Sequence, residues 1–322
     1  MRWLRVLGWV VLVGGALAAV PLWVTWLWPE AQLIADVVVF GSSLIPLLWA
    51  PTMIALAGVV VVGGHFPRLV AIGVASVLAG YWALPLFGPL ERPQPVEGEL
   101  QFVNVNARFG HATVSSIRAQ VQPSTTVLVV QEFTPELRQR LAEAGFERDF
   151  PFLAGEARVG PSGTAVYSRV PVVELARVDD VFLNLLVRVE LPGGAWHLGA
   201  IHTAAPQLGA ELWHRDALAV AEMLRPHVGQ RLVAVGDFNA VPEHITMRAF
   251  TDLGLSDPMR ATISGPSALT RWQPTWPVGR ALIAFARIDH VLVGPGVTAA
   301  EPAYFVVEGS DHKGIRGGAW SG

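Results

Sequence analysis

The chain has 322 residues, of which 52% are hydrophobic, and it carries no cysteine and a net charge of −3. The absence of cysteine excludes disulfides and thiolate metal sites, and the acidic balance argues against non-specific binding to nucleic acid, which needs a basic surface. Residues 1–97 hold only four basic and four acidic residues, so the remainder, with 19 basic and 22 acidic residues, is acidic as well.

Three long stretches without Asp, Glu, Lys or Arg occupy the N-terminal part. They lie between Arg5 and Glu30, between Asp36 and Arg68, and between Arg68 and Glu91. Each exceeds the ~20 apolar residues that cross a bilayer as a helix. We therefore predict a membrane domain over residues 1–90, with about three transmembrane helices in contact with the lipid bilayer. A signal peptide over residues 1–28 is the alternative, and it fits less well because two more apolar stretches follow.

The sparse charges also predict an orientation. Arg2 and Arg5 precede the first apolar stretch, and positive residues stay in the cytoplasm. Three spans then give a multi-pass protein of the cell membrane whose C-terminal domain is extracytoplasmic. If residues 37–67 formed a tight hairpin of two spans, that domain would instead face the cytoplasm.

A polar, proline-rich segment at 91–99 is predicted to be a linker, and the texture of the sequence changes after it. From residue 100 to 322, short apolar runs alternate with turn residues and a few amphipathic stretches, which predicts one α+β domain with two packed sheets. The predicted strands are 100–105, 126–131, 164–167, 181–189, 196–202, 231–236, 288–293 and 303–307. The predicted helices are 112–121, 134–144, 209–225 and 242–252. A short final strand is expected after residue 312.

Polar residues stand where several of these apolar strands begin or end. They are Asn104, Asn106, Gln131, Glu132, His202, Asp237, Asn239, Asp289, Asp311 and His312. If the strand ends meet at one edge, they form a cluster suited to phosphoester hydrolysis. Carboxylate oxygens hold Mg²⁺ or Mn²⁺ beside a phosphate, and a His–Asp pair orients a water or protonates a leaving oxygen.

Six motifs in chain order carry a family resemblance. They are Asn104-Val105-Asn106, Gln131-Glu132, the segment around His202, Gly236-Asp237-Phe238-Asn239, Arg287-Ile288-Asp289-His290-Val291 and Ser310-Asp311-His312. Together they resemble the endonuclease/exonuclease/phosphatase superfamily. The resemblance implies a four-layer α/β/β/α sandwich of the DNase I-like type, preceded here by a transmembrane helical segment.

The resemblance also implies roles for these residues. Glu132 is the expected principal metal ligand, assisted by Asp311 and Asn104, and the metal is expected to be Mg²⁺ or Mn²⁺. The expected catalytic residues handle the water, the phosphate oxygens and the leaving oxygen. They are Asp237 for the water, Asn239 and His312 for the phosphate, Asp289 as the support of His312, and His202 as the acid. Asn106 stands where many relatives have Asp and is a possible site residue.

The sequence thus predicts a membrane-anchored, divalent-metal-dependent hydrolase of phosphoester bonds, more specifically of phosphodiesters. The predicted partners are the lipid bilayer and a phosphoester substrate, which is a nucleic acid, a lipid headgroup or a small phosphate ester; no protein partner is inferred. The alternative is a non-catalytic, membrane-anchored surface module that retains the fold, to which Asn106 and the short C-terminal strand point.

Overall fold

The computed structural model describes residues 2–45, 48–83, 99–261, 273–279, 284–300 and 302–321. The chain divides into two units, one formed by the N-terminal helices and the other holding most of the chain from residue 99 onward. We call them the N-terminal unit and the C-terminal unit. The predicted linker at 91–99 lies outside the described residues except for Glu99, and the predicted domain boundaries remain predictions.

The N-terminal unit is helical. Its helices are α1 (Arg2–Leu27), α2 (Asp36–Ser42), α3 (Trp49–Val62) and α4 (His65–Ala83). Among the described residues, α1 is the one helix long and apolar enough to cross a membrane, judged by length and composition. The stretch predicted as a second span is divided into α2 and α3, and α3 has 14 residues, fewer than the ~20 that a crossing needs. The multi-pass arrangement therefore remains a prediction.

Helices α1 and α3 pack closely through glycines. A Cβ at Gly15 would lie 2.5 Å from the backbone nitrogen of Ala55, and a Cβ at Gly58 would lie 2.4 Å from that of Leu12. Only glycine allows the two backbones this approach. Small residues at such contacts are typical of helix pairs in membranes, where close packing replaces the hydrophobic effect as the source of association.

The C-terminal unit contains two mixed sheets. Its strands are β1 (Leu100–Asn106), β2 (Val127–Gln131), β3 (Phe152–Glu156), β4 (Thr164–Ser168), β5 (Val172–Asp179), β6 (Leu183–Leu191), β7 (Gly194–His202), β8 (Leu232–Asp237), β9 (Asp289–Val293), β10 (Val297–Ala299), β11 (Ala303–Val306) and β12 (Lys313–Ser321). The first sheet has the order β10-β12-β1-β2-β4-β3, with β11 beside β12, and the second has the order β5-β6-β7-β8-β9.

Six helices accompany these strands within the described part of the unit. They are α5 (Val114–Arg118), α6 (Pro135–Glu143), α7 (Phe146–Asp149), α8 (Ala210–Leu224), α9 (Ile245–Thr251) and α10 (Pro258–Ala261). One apolar core joins the facing sides of the two sheets, with Phe102 and Val129 from the first and Leu185 and Val233 from the second. A second core lies between the first sheet and α5, α6 and α7, and α8 covers the second sheet with buried residues such as Trp213. This is the expected four-layer α/β/β/α sandwich.

Helix α6 shows how the sequence fixes an element locally. Thr134 accepts a hydrogen bond from the backbone nitrogen of Leu137, and Pro135 occupies the first helical position. An N-cap threonine followed by proline satisfies one free N–H group and presets the helical φ angle. Leu137 and Leu141 then bury one face of the helix against the first sheet.

The structure corrects the prediction of a short final strand. Strand β12 has nine residues and pairs with β1 from Leu100↔Ala319 to Asn104↔Ile315. Its glycines hid it from the sequence pattern. A Cβ at Gly314 would lie 2.4 Å from the ring of Phe305, and one at Gly317 would lie 2.4 Å from the ring of Phe102. The glycines leave room for aromatic rings of neighbouring strands, so the usual β-branched signature is missing.

Three further strands were absent from the prediction, namely β3, β5 and β10. Strand β5 alternates between half-buried and exposed positions, and its charged residues interrupt the apolar run by which a strand is recognised in sequence. Strand β10 has three residues, and β3 is interrupted by Gly155 with φ of +85°. The helix predicted at 112–121 is also shorter than expected, because α5 ends at Arg118.

Candidate active site

A row of three polar side chains crosses the second sheet. Parallel pairing of β7 with β8 sets His202 opposite Asp237, and antiparallel pairing of β8 with β9 sets Asp237 opposite Asp289. Directly paired residues project from the same face of a sheet, so the three side chains are neighbours. All three are at most 2% exposed.

Gly236 makes the parallel register possible. Its φ is +151°, and a Cβ there would lie 2.0 Å from the carbonyl oxygen of Ile201 on β7. Any other residue would push β8 away from β7. The glycine before Asp237 is therefore a requirement of the His202–Asp237 pairing rather than of a turn.

His312 joins this row from the loop that precedes β12. Its Nδ1 lies 3.0 Å from Oδ2 of Asp289, and its Nε2 lies 3.8 Å from Oδ2 of Asp237. The backbone around it is fixed by Ser310, whose hydroxyl donates to the carbonyl oxygen of Asn106 at 2.7 Å and accepts from the backbone N–H of His312 at 2.9 Å. The Ser-Asp-His segment is thus tied to the end of β1.

The first sheet brings Asn106 and Glu132 to the same place. Parallel pairing of β1 with β2 sets Asn106 opposite Gln131, and Glu132 follows directly. Nδ2 of Asn106 donates to Oδ2 of Asp237 at 3.0 Å, so this side chain bridges the two sheets. The sequence indicated Asn106 as a neutral replacement of a metal ligand, whereas the structure shows a donor to the central carboxylate.

Glu132 is half-buried and held by an unusual turn. Its own φ is +54°, and Oε2 accepts from the backbone N–H of Phe109 at 2.5 Å. Arg108, Phe109 and Gly110 have φ angles of +44°, +52° and +73°. Non-glycine residues in the left-handed region are strained by ~1–3 kcal/mol each, and such strain concentrates at functional sites. The turn fixes one oxygen of the Glu132 carboxylate.

Asn239 is positioned by the carboxylate two residues before it. Its backbone N–H donates to Oδ1 of Asp237 at 2.8 Å, and its Nδ2 donates to the carbonyl oxygen of Thr203 at 2.8 Å. Its φ of +47° is left-handed, a conformation that asparagine tolerates better than most residues. The side chain therefore lies between the end of β7 and the end of β8.

The two remaining predicted ligands differ in placement. Asp311 is 8% exposed, and its Oδ1 lies 3.8 Å from Nε of Arg108. Asn104 is fully buried and lies two residues before Asn106 on the same face of β1. Its Oδ1 accepts from Nε2 of Gln131 at 2.7 Å. Its Nδ2 has no hydrogen-bond partner among the described residues. As placed, Asn104 offers a donor rather than a free ligand oxygen.

The two histidines have opposite protonation preferences. Burial opposes the charged form of His312, but Asp289 and Asp237 outweigh it and raise its pKa to about 10. Burial and the charge of His312 lower the pKa of His202 to about 3. At neutral pH the site therefore holds an imidazolium at His312 and a neutral imidazole at His202. The ring of His202 stacks on Phe182 at 4.1 Å between centroids, which fixes its orientation.

Burial raises the pKa of two carboxyl groups. For Asp237 the raising cause is burial, reinforced by Asp289 and opposed by His312 and the Asn239 N–H. For Glu132 the largest cause is again burial, opposed by the Phe109 N–H and by His312. Burial and neighbouring carboxylates both disfavour the ionised form of a carboxyl group unless positive charges lie nearby. The site is thus short of cationic partners.

The donor set fits a divalent cation. Four carboxylates converge here, from Glu132, Asp237, Asp289 and Asp311, against the imidazolium of His312 and the guanidinium of Arg108. Hard oxygen ligands with surplus negative charge are what Mg²⁺ and Mn²⁺ bind. Ligand atoms of Asp237, Asp289 and His312 lie within 4.8 Å of one another, but Nδ1 of His312 and Oδ2 of Asp289 are already bonded to each other at 3.0 Å. We therefore favour the Glu132 side of the cluster.

Some positioning residues escaped the sequence analysis. Asn184, fully buried on β6, accepts from the backbone N–H of His202 at 2.7 Å, and Ser310 links β1 to His312. The sequence does indicate a special role for Asn184, because a polar residue interrupts the apolar run Leu-Asn-Leu-Leu. Phe182 gave no such signal, because its role depends on stacking with a residue of another strand.

A family model decides the identity of the fold and its chemistry. The model described as the endonuclease/exonuclease/phosphatase family matches residues 103–312. The chain belongs to this family. Its members cleave phosphoester bonds and in general depend on divalent metals, so the chain is a metal-dependent phosphoester hydrolase.

Solved structures agree on the fold. The 3′ phosphatase NExo from Neisseria, solved with a product DNA hairpin, is 16% identical, and the alignment covers 68% of this chain and 98% of that one with a TM-score of 0.52. A functionally unknown conserved protein from Enterococcus faecalis is 12% identical, with coverage of 69% and 100% and a TM-score of 0.51. At these identities the likeness shows the fold. A search of curated protein sequences found no significant match.

Proposed function

We propose that this family member is a membrane-anchored phosphodiesterase that uses Mg²⁺ or Mn²⁺. The observation that supports it best is the buried chain of contacts from Asn106 through Asp237 to His312 and Asp289. It sets a carboxylate with a raised pKa beside a protonated imidazole. A hydrolase that adds water to phosphorus and releases an alkoxide needs these two groups together.

In this proposal Glu132 and Asp311 hold the metal, which neutralises charge on the phosphoryl oxygens. Asn104 would become a ligand only if its amide rotated, because its Oδ1 accepts a hydrogen bond from Nε2 of Gln131. The backbone N–H of Phe109 fixes one oxygen of the Glu132 carboxylate, so the carboxylate would meet a cation in a defined orientation. The oxygen ligands and the buried, under-compensated carboxylates support this assignment.

Asp237 orients the attacking water and accepts its proton, since a carboxyl group with a raised pKa is a better base near neutral pH. The water oxygen forms the new bond to phosphorus, and the ester oxygen leaves as the old P–O bond breaks. Asn239 donates a hydrogen bond to a phosphoryl oxygen when its Nδ2 turns from Thr203.

The protonation preferences revise the acid assignment made from sequence. His202 has a pKa lowered to about 3 and carries no proton to give as an imidazolium at neutral pH. We assign proton delivery to His312, whose pKa is raised to about 10 and whose orientation is fixed by Asp289. His202 then lies beside Asp237 as a neutral imidazole, with its Nε2 3.8 Å from Oδ2 of Asp237.

The membrane part of the proposal rests on α1 and on the charge pattern. α1 has 26 residues and is apolar enough to cross a bilayer. The proposed arrangement is multi-pass, with the C-terminal unit extracytoplasmic, as Arg2 and Arg5 imply. A phosphatase and a fluorescent reporter fused after Gly322 report the side directly. A cytoplasmic signal would replace this topology with the hairpin alternative.

The activity is tested with the full chain in mild detergent and bis(4-nitrophenyl) phosphate. Chelation should abolish hydrolysis, and adding back Mg²⁺ or Mn²⁺ should restore it, because the proposed ligands are all oxygens. Undiminished turnover in excess chelator would exclude the metal assignment. No hydrolysis of this or any other phosphoester with either metal would favour the non-catalytic surface module.

A further inference from the structure

The most exposed apolar side chains of the C-terminal unit gather at one edge. Among its described residues, the four most exposed large hydrophobics are Val159 (86%), Val306 (63%), Phe109 (53%) and Leu208 (47%). We call these four residues the apolar rim. Large apolar side chains scattered over a surface need no explanation, but a group concentrated at one place does.

The strand register shows that the rim surrounds the active site. Val159 lies in the loop from β3 to β4, and that loop meets the end of β2, where Gln131 is paired with Thr164 and Thr164 with Glu156. The backbone N–H of Arg158 bonds to the carbonyl oxygen of Phe133, the residue after Glu132. Val159 is therefore carried by a loop attached beside the proposed metal ligand.

The other three rim residues follow strands that deliver site residues. Phe109 comes three residues after Asn106 and donates its backbone N–H to Glu132. Leu208 ends the short 3₁₀ turn that follows His202. Val306 is paired with Lys313, which directly follows His312. Phe152, which is less exposed, lies elsewhere: it pairs with Ser168 at the end of β3 farthest from the loop of Val159.

The charges at this edge do not suit a polyanion. Arg108 pairs with Asp311 at 3.8 Å, Arg158 with Asp179 at 2.5 Å, and Arg215 with Asp180 at 3.3 Å. Lys313 is half-buried and paired in the strand register with Val306. A surface that tracks a nucleic-acid backbone needs unpaired cations. The described residues of this edge offer an apolar ring and ion-paired arginines instead.

We propose that the apolar rim inserts into a lipid surface and that the substrate is the phosphodiester of a phospholipid presented there. The inference rests on the proposed phosphodiesterase function. The rim side chains enter the region of the acyl chains, while the polar cluster that they surround meets the headgroup. The same chain carries a helix apolar enough to cross a bilayer, so a lipid surface is within its reach.

The test uses the full chain in non-ionic detergent with Mg²⁺ or Mn²⁺. Mixed micelles of detergent with phosphatidylcholine, phosphatidylethanolamine and phosphatidylglycerol supply the lipid, and bis(4-nitrophenyl) phosphate supplies a soluble diester. We compare wild type with Val159→Ser/Val306→Ser. The control is Val173→Ser/Leu218→Ser, which removes two exposed apolar side chains of 46% and 43% exposure outside the rim.

The ratio of lipid turnover to soluble-diester turnover should fall about tenfold or more in the rim variant and keep its wild-type value in the control. Diluting the phospholipid with detergent at constant bulk concentration should slow lipid turnover alone. An unchanged ratio in the rim variant overturns the inference, as does faster cleavage of a single-stranded oligonucleotide than of any phospholipid. If the soluble diester is also untouched with either metal, the proposed function itself has failed.

Discussion

The two sheets of the C-terminal unit contribute different chemistry to the site. The first sheet supplies Glu132, Asn106 and Asn104 from the adjacent parallel strands β1 and β2. The second supplies His202 and Asp237 from its own parallel pair, β7 and β8. In our proposal the first sheet holds the cation and the second handles protons. Each half rests on a parallel strand pair because the carboxyl ends of such strands meet at one edge.

Two contacts join the halves. Asn106 of the first sheet donates to Asp237 of the second, and His312, which precedes a strand of the first sheet, is bonded to Asp289 of the second. We therefore expect substitutions of site residues in the second sheet to change proton transfer and those in the first sheet to change metal affinity. Substitutions at the joining contacts should change both, but by less.

The largest effect is expected for Asp237→Asn. The amide keeps the shape of the side chain but cannot accept the proton of the attacking water, so turnover should fall by about 10²–10⁴-fold. Metal affinity should change little. Steady-state kinetics and a metal titration measure the two quantities, and Asp252→Asn, at an exposed carboxylate, serves as control. Near-normal turnover in the Asp237 variant would refute the proton-handling role.

Glu132→Gln should act on the other half. Loss of the anionic ligand should weaken the affinity for Mg²⁺ or Mn²⁺ by about 10–100-fold, a range seen for groups that support a metal site. Saturating metal should recover part of the turnover. The matched control is Glu136→Gln, an exposed residue of α6. Equal metal affinity in both variants would place the cation elsewhere in the cluster.

Asp289→Asn should alter the pH dependence. The charge of Asp289 is the leading cause that raises the pKa of His312 to about 10. The imidazolium is present below that pKa and lost above it, so removing the charge moves the alkaline loss of activity to lower pH. A displacement of about 1–3 units is expected. An alkaline limb of kcat/KM at the wild-type position would show that His312 is not the proton donor.

The smallest effect is expected for Asn106→Ala. Asp237 would lose one of its donors, and a buried acceptor without a partner destabilises a protein by about 1–3 kcal/mol. Thermal unfolding measures this loss, and Asn106→Asp serves as the contrasting variant. The added carboxylate 3.0 Å from Asp237 should reduce turnover at neutral pH unless metal binding compensates. Unaltered stability in the alanine variant would remove Asn106 as the link between the sheets.

The sequence predicted most of the sandwich because its motifs fall at strand ends in a fixed order. The family and the fold are confirmed, and the positions of Asp237, Asp289 and His312 are close in space. The bond from Asn106 to Asp237 was not foreseeable, because it joins residues of different sheets across 131 positions. The length of β12 was underestimated because Gly314 and Gly317, which leave room for neighbouring aromatic rings, are not typical strand residues.

The protonation of the two histidines also lay beyond the sequence. His202 and His312 are the same residue type in similar motifs, and only their surroundings separate them. Asp289 bonds to the ring of His312, whereas burial and the charge of His312 disfavour a proton on His202. For the N-terminal helices the sequence predicted too much continuity. The length of the uncharged stretches predicted three spans, but the structure divides the second stretch into the short helices α2 and α3.

The pairing of β1 with β12 affects the moment at which activity arises during synthesis. Leu100 pairs with Ala319, so the first strand of the C-terminal unit waits for a partner that the ribosome makes more than 200 residues later. His312 arrives in the same late segment. A nascent chain therefore carries Glu132 and Asp237 without the imidazole and without closure of the first sheet. Long-range pairing of this kind slows folding. The complete site, with the imidazole of His312 in place, therefore forms only after β12 has been made.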